Sequence, residues 1–537
     1  MPLHLVLIAA VGCNEAPTPK AAPPELRGDA PALAPAPSVF RRLTYAQLVA
    51  TLGDVLGEGL VLPEEIEPDT RSSGLYALGA GVTSFSSLGV ERLESAAFDV
   101  AEQVLADSTR RAAVVPCEAV DVVDESCAAT VVEGLGLRLW RRPLTAVERD
   151  RIAGIANTAA STLGSFDAGL AYAIAALLQS PHFIFRPELG EDDPDNPGTK
   201  RYTSYEMASR LSYFLWAGPP DAALLAAAAE GALVTAEGVR TEVDRMLVDP
   251  RARRGVRELF GDMLQLDALD SLTKDPLVYT YMSDGLAESA REQTLADIEA
   301  LVFEGAEPFS AFLTQSETHL DRTLATLYDV PAPAREGFAR ATLPQSGGRR
   351  GFLGQASFLA VQSHATSTSV TKRGMFVREV LLCQTLPSPP AGLNTSIPEV
   401  SEDSPTMRDR VAQHLLDPSC ASCHNIMDPI GLGFENFDGL ARWRIQENDV
   451  TIDASGLLDG VGFSNAWELS GVIATHEQFP LCVNETVYQY ATGRVVDSVE
   501  VPLVDWHAAG FKEQGQRLLW LMADIAVSDA FRKKGES

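Results

Sequence analysis

Cations are scarce in this chain. Its 537 residues hold 43 Lys and Arg against 73 Asp and Glu, a formal charge of -30. The summed field repels nucleic acid and anionic membrane, which excludes DNA or RNA binding as a function. Such a field steers a basic redox partner or simply keeps the chain in solution. Long apolar runs are also missing after the first dozen residues, so no later stretch can span a bilayer. Alternating strand patterns are few, with one short hairpin expected near Val450 to Leu458. There is no Ser/His/Asp signature, no phosphate loop, no metalloprotease helix and no repeat of fixed period. At 46% hydrophobic and 22% charged residues, the composition is nevertheless that of a packed protein.

The N-terminus, Met1 to Gly12 followed by Cys13, is a short apolar run ending in Ala-Val-Gly-Cys. That is the pattern of a lipoprotein signal cut before a lipid-modified cysteine, although its start carries only His4 in place of the usual Lys or Arg. Simple export is the alternative. Asn14 to Ser38 then reads as a Pro/Ala tether, poor in large apolar residues. The expected location is the cell envelope, periplasm or outer-membrane surface, with the membrane touched only through the lipid.

Seven cysteines are present. Apart from Cys13 and the pair Cys420 and Cys423, four remain. In an oxidising compartment Cys117 and Cys127 close a short loop, and Cys383 with Cys482 clamps the C-terminal region. The alternative is four buried free thiols.

Helix signals dominate, and a mainly α, multi-domain fold is expected. Thr44-Tyr-Ala-Gln47 and Thr145-Ala-Val-Glu148 are capping boxes that open amphipathic runs, the first stopping at Gly57 and the second at Gly164. Similar periodicity covers about residues 90–107, 127–141, 166–179, 204–216, 236–248, 251–266, 286–304 and 405–416. Turn-rich breaks at Gly190 to Lys200, Pro331 to Gly348 and Pro387 to Pro405 divide the chain. After a signal at 1–13 and a tether at 14–38 come N-terminal helical modules at 39–190 and a second helical module at 201–340. A connecting module at 349–400 and a C-terminal module at 401–537 follow. Arg138 to Arg142 and Arg251 to Arg257 are basic runs expected on solvated or domain-docking faces.

Cys420-Ala-Ser-Cys423-His424 carries the chemistry. Two thiols one helical turn apart add to the vinyl groups of a haem, and the adjacent imidazole meets the iron. A zinc half-site would want a second ligand pair at close spacing, and a thioredoxin-like dithiol would want a strand before the motif. Neither pattern is present. His424 needs a carbonyl or carboxylate on its other nitrogen, and the turn Asp428-Pro-Ile-Gly431 is near enough to supply one. Met427 approaches from the same side of the ring and is excluded as the sixth ligand. His364, Met375, Met407, His414 and His476 are candidates for the opposite face, His364 first because Gln362 to Ser369 is a polar loop; otherwise that face is open. Arg442 and Arg444 flank Trp443, a set suited to haem propionates and a ring edge, or equally to exposed salt bridges.

Five stretches resemble large secreted bacterial proteins of planctomycetes and myxobacteria, in which domains of unknown function surround a cytochrome-c-like motif. They are Arg41-Arg-Leu-Thr-Tyr-Ala-Gln-Leu48; Leu139-Trp-Arg-Arg-Pro-Leu-Thr145 with Leu178-Gln-Ser-Pro-His-Phe183; Glu206 to Trp216; Arg350-Gly-Phe-Leu353 with Thr368-Ser-Val-Thr-Lys-Arg-Gly374; and Cys420 to Gly431 with Glu435-Asn-Phe-Asp438. The chain departs from the family's Thr-Ser-Pro at Thr368-Ser369-Val370, next to His364. The resemblance implies an exported haem c protein without defining a substrate. The expected role is electron transfer with a redox partner. Alternatives are a haem oxidoreductase with an open iron position acting on peroxide or a small organic substrate, and a polysaccharide-associated surface interaction protein with a structural haem.

Overall fold

The computed structural model describes residues 30–31, 36–63, 66–194, 197–345, 348–387, 399–416 and 418–535, except the side chains at 413–414, 418–419 and 422. Cys13 and most of the 14–38 tether lie outside the described residues. The fold is mainly α. Helices Tyr45–Leu56 and Ala146–Leu163 start on the expected boxes: Thr44 and Thr145 accept from the N3 amides while Gln47 and Glu148 reach back. Gly164 closes the second in the left-handed region that glycine favours. Glu148 also takes a two-pronged bond from Arg142 at 2.8 and 2.9 Å. This partner, with the Thr145 bonds, holds its carboxyl down at about 2. A depressed carboxyl stabilises the fold above its unfolded value near 4.5 and loses that contribution as pH falls toward 2. The group is partly exposed, so Glu148→Gln is expected to remove about 1 kcal/mol at neutral pH and to flatten urea-melt stability between pH 5 and 2.

Two cores form. The first joins helices from Tyr45–Leu56 to Phe166–Leu178; the second gathers Ala77 and buried residues from Tyr202 to Phe531 on both sides of the proline-rich break. The Pro387–Pro405 break therefore does not separate packing units. The last helices were not anticipated, because Leu518–Val527 buries Trp520, Leu521, Met522, Asp524 and Ile525 all round and shows no amphipathic stripe. Each large apolar side chain buried there contributes about 1.5 to 3 kcal/mol. At the chain's end Lys533–Lys534 pairs with Lys200–Arg201, which pairs with Glu191–Asp192.

The hairpin expected near Val450 to Leu458 is instead two hairpins that bracket it. Gln446–Glu447 pairs with Val450–Thr451, and Gly456–Leu458 with Val461–Phe463. Both have two-residue turns with positive φ at both positions, Asn448-Asp449 and Asp459-Gly460. Such turns match the twist of the strands they join.

The units are stitched by polar contacts. Thr51 and Tyr213 hydroxyls meet at 2.8 Å, Arg254 pairs with Asp54, and the fully buried Glu188 takes bonds from Arg41 and Arg210. Two disulfides, Cys117–Cys127 and Cys383–Cys482, join the expected partners. They fit a chain that folds in an oxidising compartment. Cys383–Cys482 spans 99 residues and ties the exit of the 377–381 turn to helix Gln478–Thr492. Cys383→Ala/Cys482→Ala is expected to lower unfolding free energy by about 2 to 5 kcal/mol in urea titrations. No described helix is long and apolar enough to cross a membrane.

Candidate functional site

The motif lies on helix Pro418–Gly431. Cys420, Cys423 and Ile426 recur every three residues and share one side of it. Both cysteines are outside any disulfide; Cys420 is buried and Cys423 half-buried. The helix is held by Val370–Phe376, and the approach is so close that only glycine fits. A Cβ on Gly374 would stand 2.0 Å from the Met427 carbonyl oxygen, and one on Gly431 would stand 1.8 Å from that of Val370. A small apolar cluster of Val370, Met407, Val411 and Leu432 packs beside this crossing.

His424 is oriented from below by a carboxylate. Its Nδ1 lies 2.7 Å from Oδ2 of Asp428, one turn on, whose side chain is only 1% exposed. Thr371, on the crossing helix, donates to the other oxygen of Asp428 at 2.9 Å and sits 3.5 Å from His424 Nδ1. A buried carboxylate accepts, so in the neutral imidazole the proton sits on Nδ1 and the lone pair on Nε2. Nε2 is the atom a metal would take. Two thiols on one helix side and an imidazole with this tautomer are the donor set that covalent haem attachment requires.

The remaining expected residues fall in three groups. Arg442, Trp443 and Arg444 pack around the next loop. Arg444 bonds the Glu435 carboxylate at 2.9 Å, Trp443 meets Phe437 edge to face, and Arg442 is exposed over the Tyr281 ring. His476 has both ring nitrogens engaged, Nδ1 by the Gln478 amide and Nε2 by Asp459, which makes it a structural residue. Met407 is 1% exposed in the small cluster. His364 is exposed on a loop closed by the Ser363–Thr368 bridge, its carbonyl held by Lys274. Although the residue is exposed, partial desolvation of the ring and then the nearby cations Lys372 and Lys274 push its imidazole below the usual range, toward the neutral form. Met375 is partly exposed on the crossing helix, and the His414 side chain lies outside the described residues.

Sequence reasoning missed Thr371 and Arg373, although both lie in the Thr368–Gly374 block. Arg373 is 0% exposed and gathers the chain around the motif. Its guanidinium donates to the carbonyls of Leu359, Phe434, Phe437 and Asp438, and to Ser363 Oγ, beside Glu435 at 3.5 Å. Glu435 also accepts from Thr368 at 2.8 Å. The basic runs were expected on solvated or docking faces, and one member departs from both. Arg141 is buried, donating to the carbonyls of Leu139, His182, Phe183 and Phe185. A left-handed backbone at the end of Glu125–Trp140 turns it inward.

Four segments match known families, each described as a protein of unknown function: residues 127–188 (DUF1595), 202–330 (DUF1592), 349–447 (DUF1588) and 459–531 (DUF1585). No curated protein and no solved structure matches the chain. The third match runs across the proline-rich break, in keeping with the packing of Val370–Phe376 on Pro418–Gly431. From residue 127 to 531 the chain thus carries, in order, segments matching DUF1595, DUF1592, DUF1588 and DUF1585, with Cys420, Cys423 and His424 inside the third.

Proposed function

We propose that this chain is an exported c-type haem protein of the cell envelope, anchored through a lipid on Cys13, that passes electrons to or from a redox partner. Haem c would be joined to Cys420 and Cys423, with His424 as proximal ligand. The observation that carries this reading is the His424–Asp428 pair on a helix whose two thiols stay unbridged while the other four described cysteines are in disulfides. When bound, the haem supplies a one-electron couple. Asp428 and Thr371 hold the imidazole's orientation and its Nδ1 proton; Ile426, partly exposed on the Cys423 side of the helix, offers apolar cover to a macrocycle. The acidic surface orients a basic partner.

The test is a pyridine haemochrome spectrum of protein matured with a cytochrome c assembly system, wild type against Cys420→Ala/Cys423→Ala. A band of the two-thioether type, lost in the variant, supports the reading. Absence of covalent haem from folded, exported wild type would sink it and return the pair to a zinc or dithiol role.

A second reading is favoured by one feature: the partner of His424 is a carboxylate. A carboxylate makes the imidazole a stronger donor, which suits a haem oxidoreductase with an open iron position acting on peroxide or an organic substrate. A five-coordinate ferric form that binds cyanide selects this reading; a six-coordinate form with fast, reversible reduction selects electron transfer.

A further inference from the structure

Away from the motif, a cavity of about 670 Å³ opens between the N-terminal unit and the helices Arg251–Met263 and Leu286–Phe303. Its lining is rich in acids, and nearly all of them are satisfied. Asp262 accepts the Tyr76 and Ala77 amides and pairs with Arg71. Asp267 takes Arg71 and the Tyr76 hydroxyl, and Asp270 takes Arg291. Glu258 is different. It lies one turn before Asp262 on the same helix, lines the cavity, and has no hydrogen bond or ion pair among the described residues. The arginines around it are committed elsewhere: Arg254 to Asp54, Arg257 to Glu292, Arg291 to Asp270. Burial and the Asp262 charge push its carboxyl above the usual range.

A second, independent group points into the same space. Tyr490 is only 7% exposed, lines the cavity, and its hydroxyl has no partner among the described residues. Burial first, and then the Glu258 charge, push the Tyr490 phenol above its usual range. An unpaired acid and an unpaired hydroxyl in one cavity want a ligand with a positive end and a polar body. Among the described residues no three His, Cys, Asp or Glu are arranged to hold a metal ion. Arg254, Arg257 and Arg291 act on Glu258 only through their charge, whereas a cationic ligand would pair with its carboxylate directly.

We infer that this cavity binds a small organic cation, whose ammonium or guanidinium group pairs with Glu258 and whose polar body meets the Tyr490 hydroxyl. The volume suits a compact metabolite.

The test is calorimetric titration of the full chain at constant ionic strength, with glucosamine and putrescine as probes and glucose as the neutral counterpart of the first. Expected are saturable binding of at least one amine, at least a ten-fold weakening in Glu258→Gln, and a smaller weakening in Tyr490→Phe. Thermal melts establish that both variants stay folded; neither removes more than a charge or a hydroxyl. Failure of both amines to bind wild type would overturn the inference. So would glucose binding as well as glucosamine, or Glu258→Gln binding the amine as tightly as wild type.

Discussion

With haem c held as proposed, Asp428→Asn is expected to raise the reduction potential by about 60 to 120 mV. The sign follows from the hydrogen bond at 2.7 Å between His424 Nδ1 and Asp428. A carboxylate there draws the Nδ1 proton and makes Nε2 a better donor, which would favour the oxidised, more positive state of an iron bound to it. A neutral amide of the same shape keeps an acceptor for the proton but removes the charge. Loss of a partner at this position typically changes metal affinity 10- to 100-fold, and a tenfold change is about 59 mV for one electron. The fold should survive. The Asn side chain still offers an oxygen to one of its two donors, and losing a carboxylate that is 1% exposed relieves a desolvation cost. Thr371→Val, which removes the hydroxyl that donates to the other oxygen of Asp428, leaves the carboxylate more basic and should move the potential the opposite way, by less. Spectroelectrochemical titration measures both. An unchanged potential in Asp428→Asn, with haem content equal to wild type, would show that this pair is not beneath the iron.

Much of this arrangement was legible before the fold was known. Capping boxes at Thr44 and Thr145 and terminal glycines mark helix ends because they answer a local need, the unpaired amides and carbonyls of each end. The motif was readable because helical spacing places its residues on one face; Asp428, expected in a turn close in sequence, lies instead on the motif helix itself, one turn after His424. Thr371 was not readable, because nothing local says that Val370–Phe376 will cross Pro418–Gly431; that contact is made by glycines 57 residues apart in sequence, Gly374 and Gly431. The C-terminal helices escaped notice since full burial erases the stripe that periodicity detects. The twin hairpins were blurred by their shortness, although Asp459-Gly460 is itself a hairpin signal. The cavity around Glu258 is assembled from the 44–77 stretch, helix Arg251–Met263 and Tyr490. No window of sequence contains it.

The largest stability effect is expected at Arg373. Its side chain is wholly buried and takes its partners from three stretches, around 359–363, 434–435 and 437–438. Desolvation is the leading cause that lowers its pKa to about 10, with Glu435 opposing it. It therefore stays charged at neutral pH and is fully used. Arg373→Met keeps the length and removes the fork, leaving four carbonyls short of a donor, while Glu435 retains Arg444 and Thr368. Breaking one side of such a network costs about 3 to 5 kcal/mol, because the groups left behind remain buried. Arg373→Lys should recover little, since an ammonium is a point charge that cannot span acceptors on two sides. Urea titrations of wild type and both variants measure the loss. The effect should also reach the motif. Arg373 sits two residues after Thr371, on the helix that crosses Pro418–Gly431. Loosening that helix releases the hold on Asp428 and, through it, on His424. Covalent haem yield should then fall in Arg373→Met in step with the lost stability. A variant destabilised by the full amount with wild-type haem yield would mean that attachment needs only the motif helix and not the helix that crosses it.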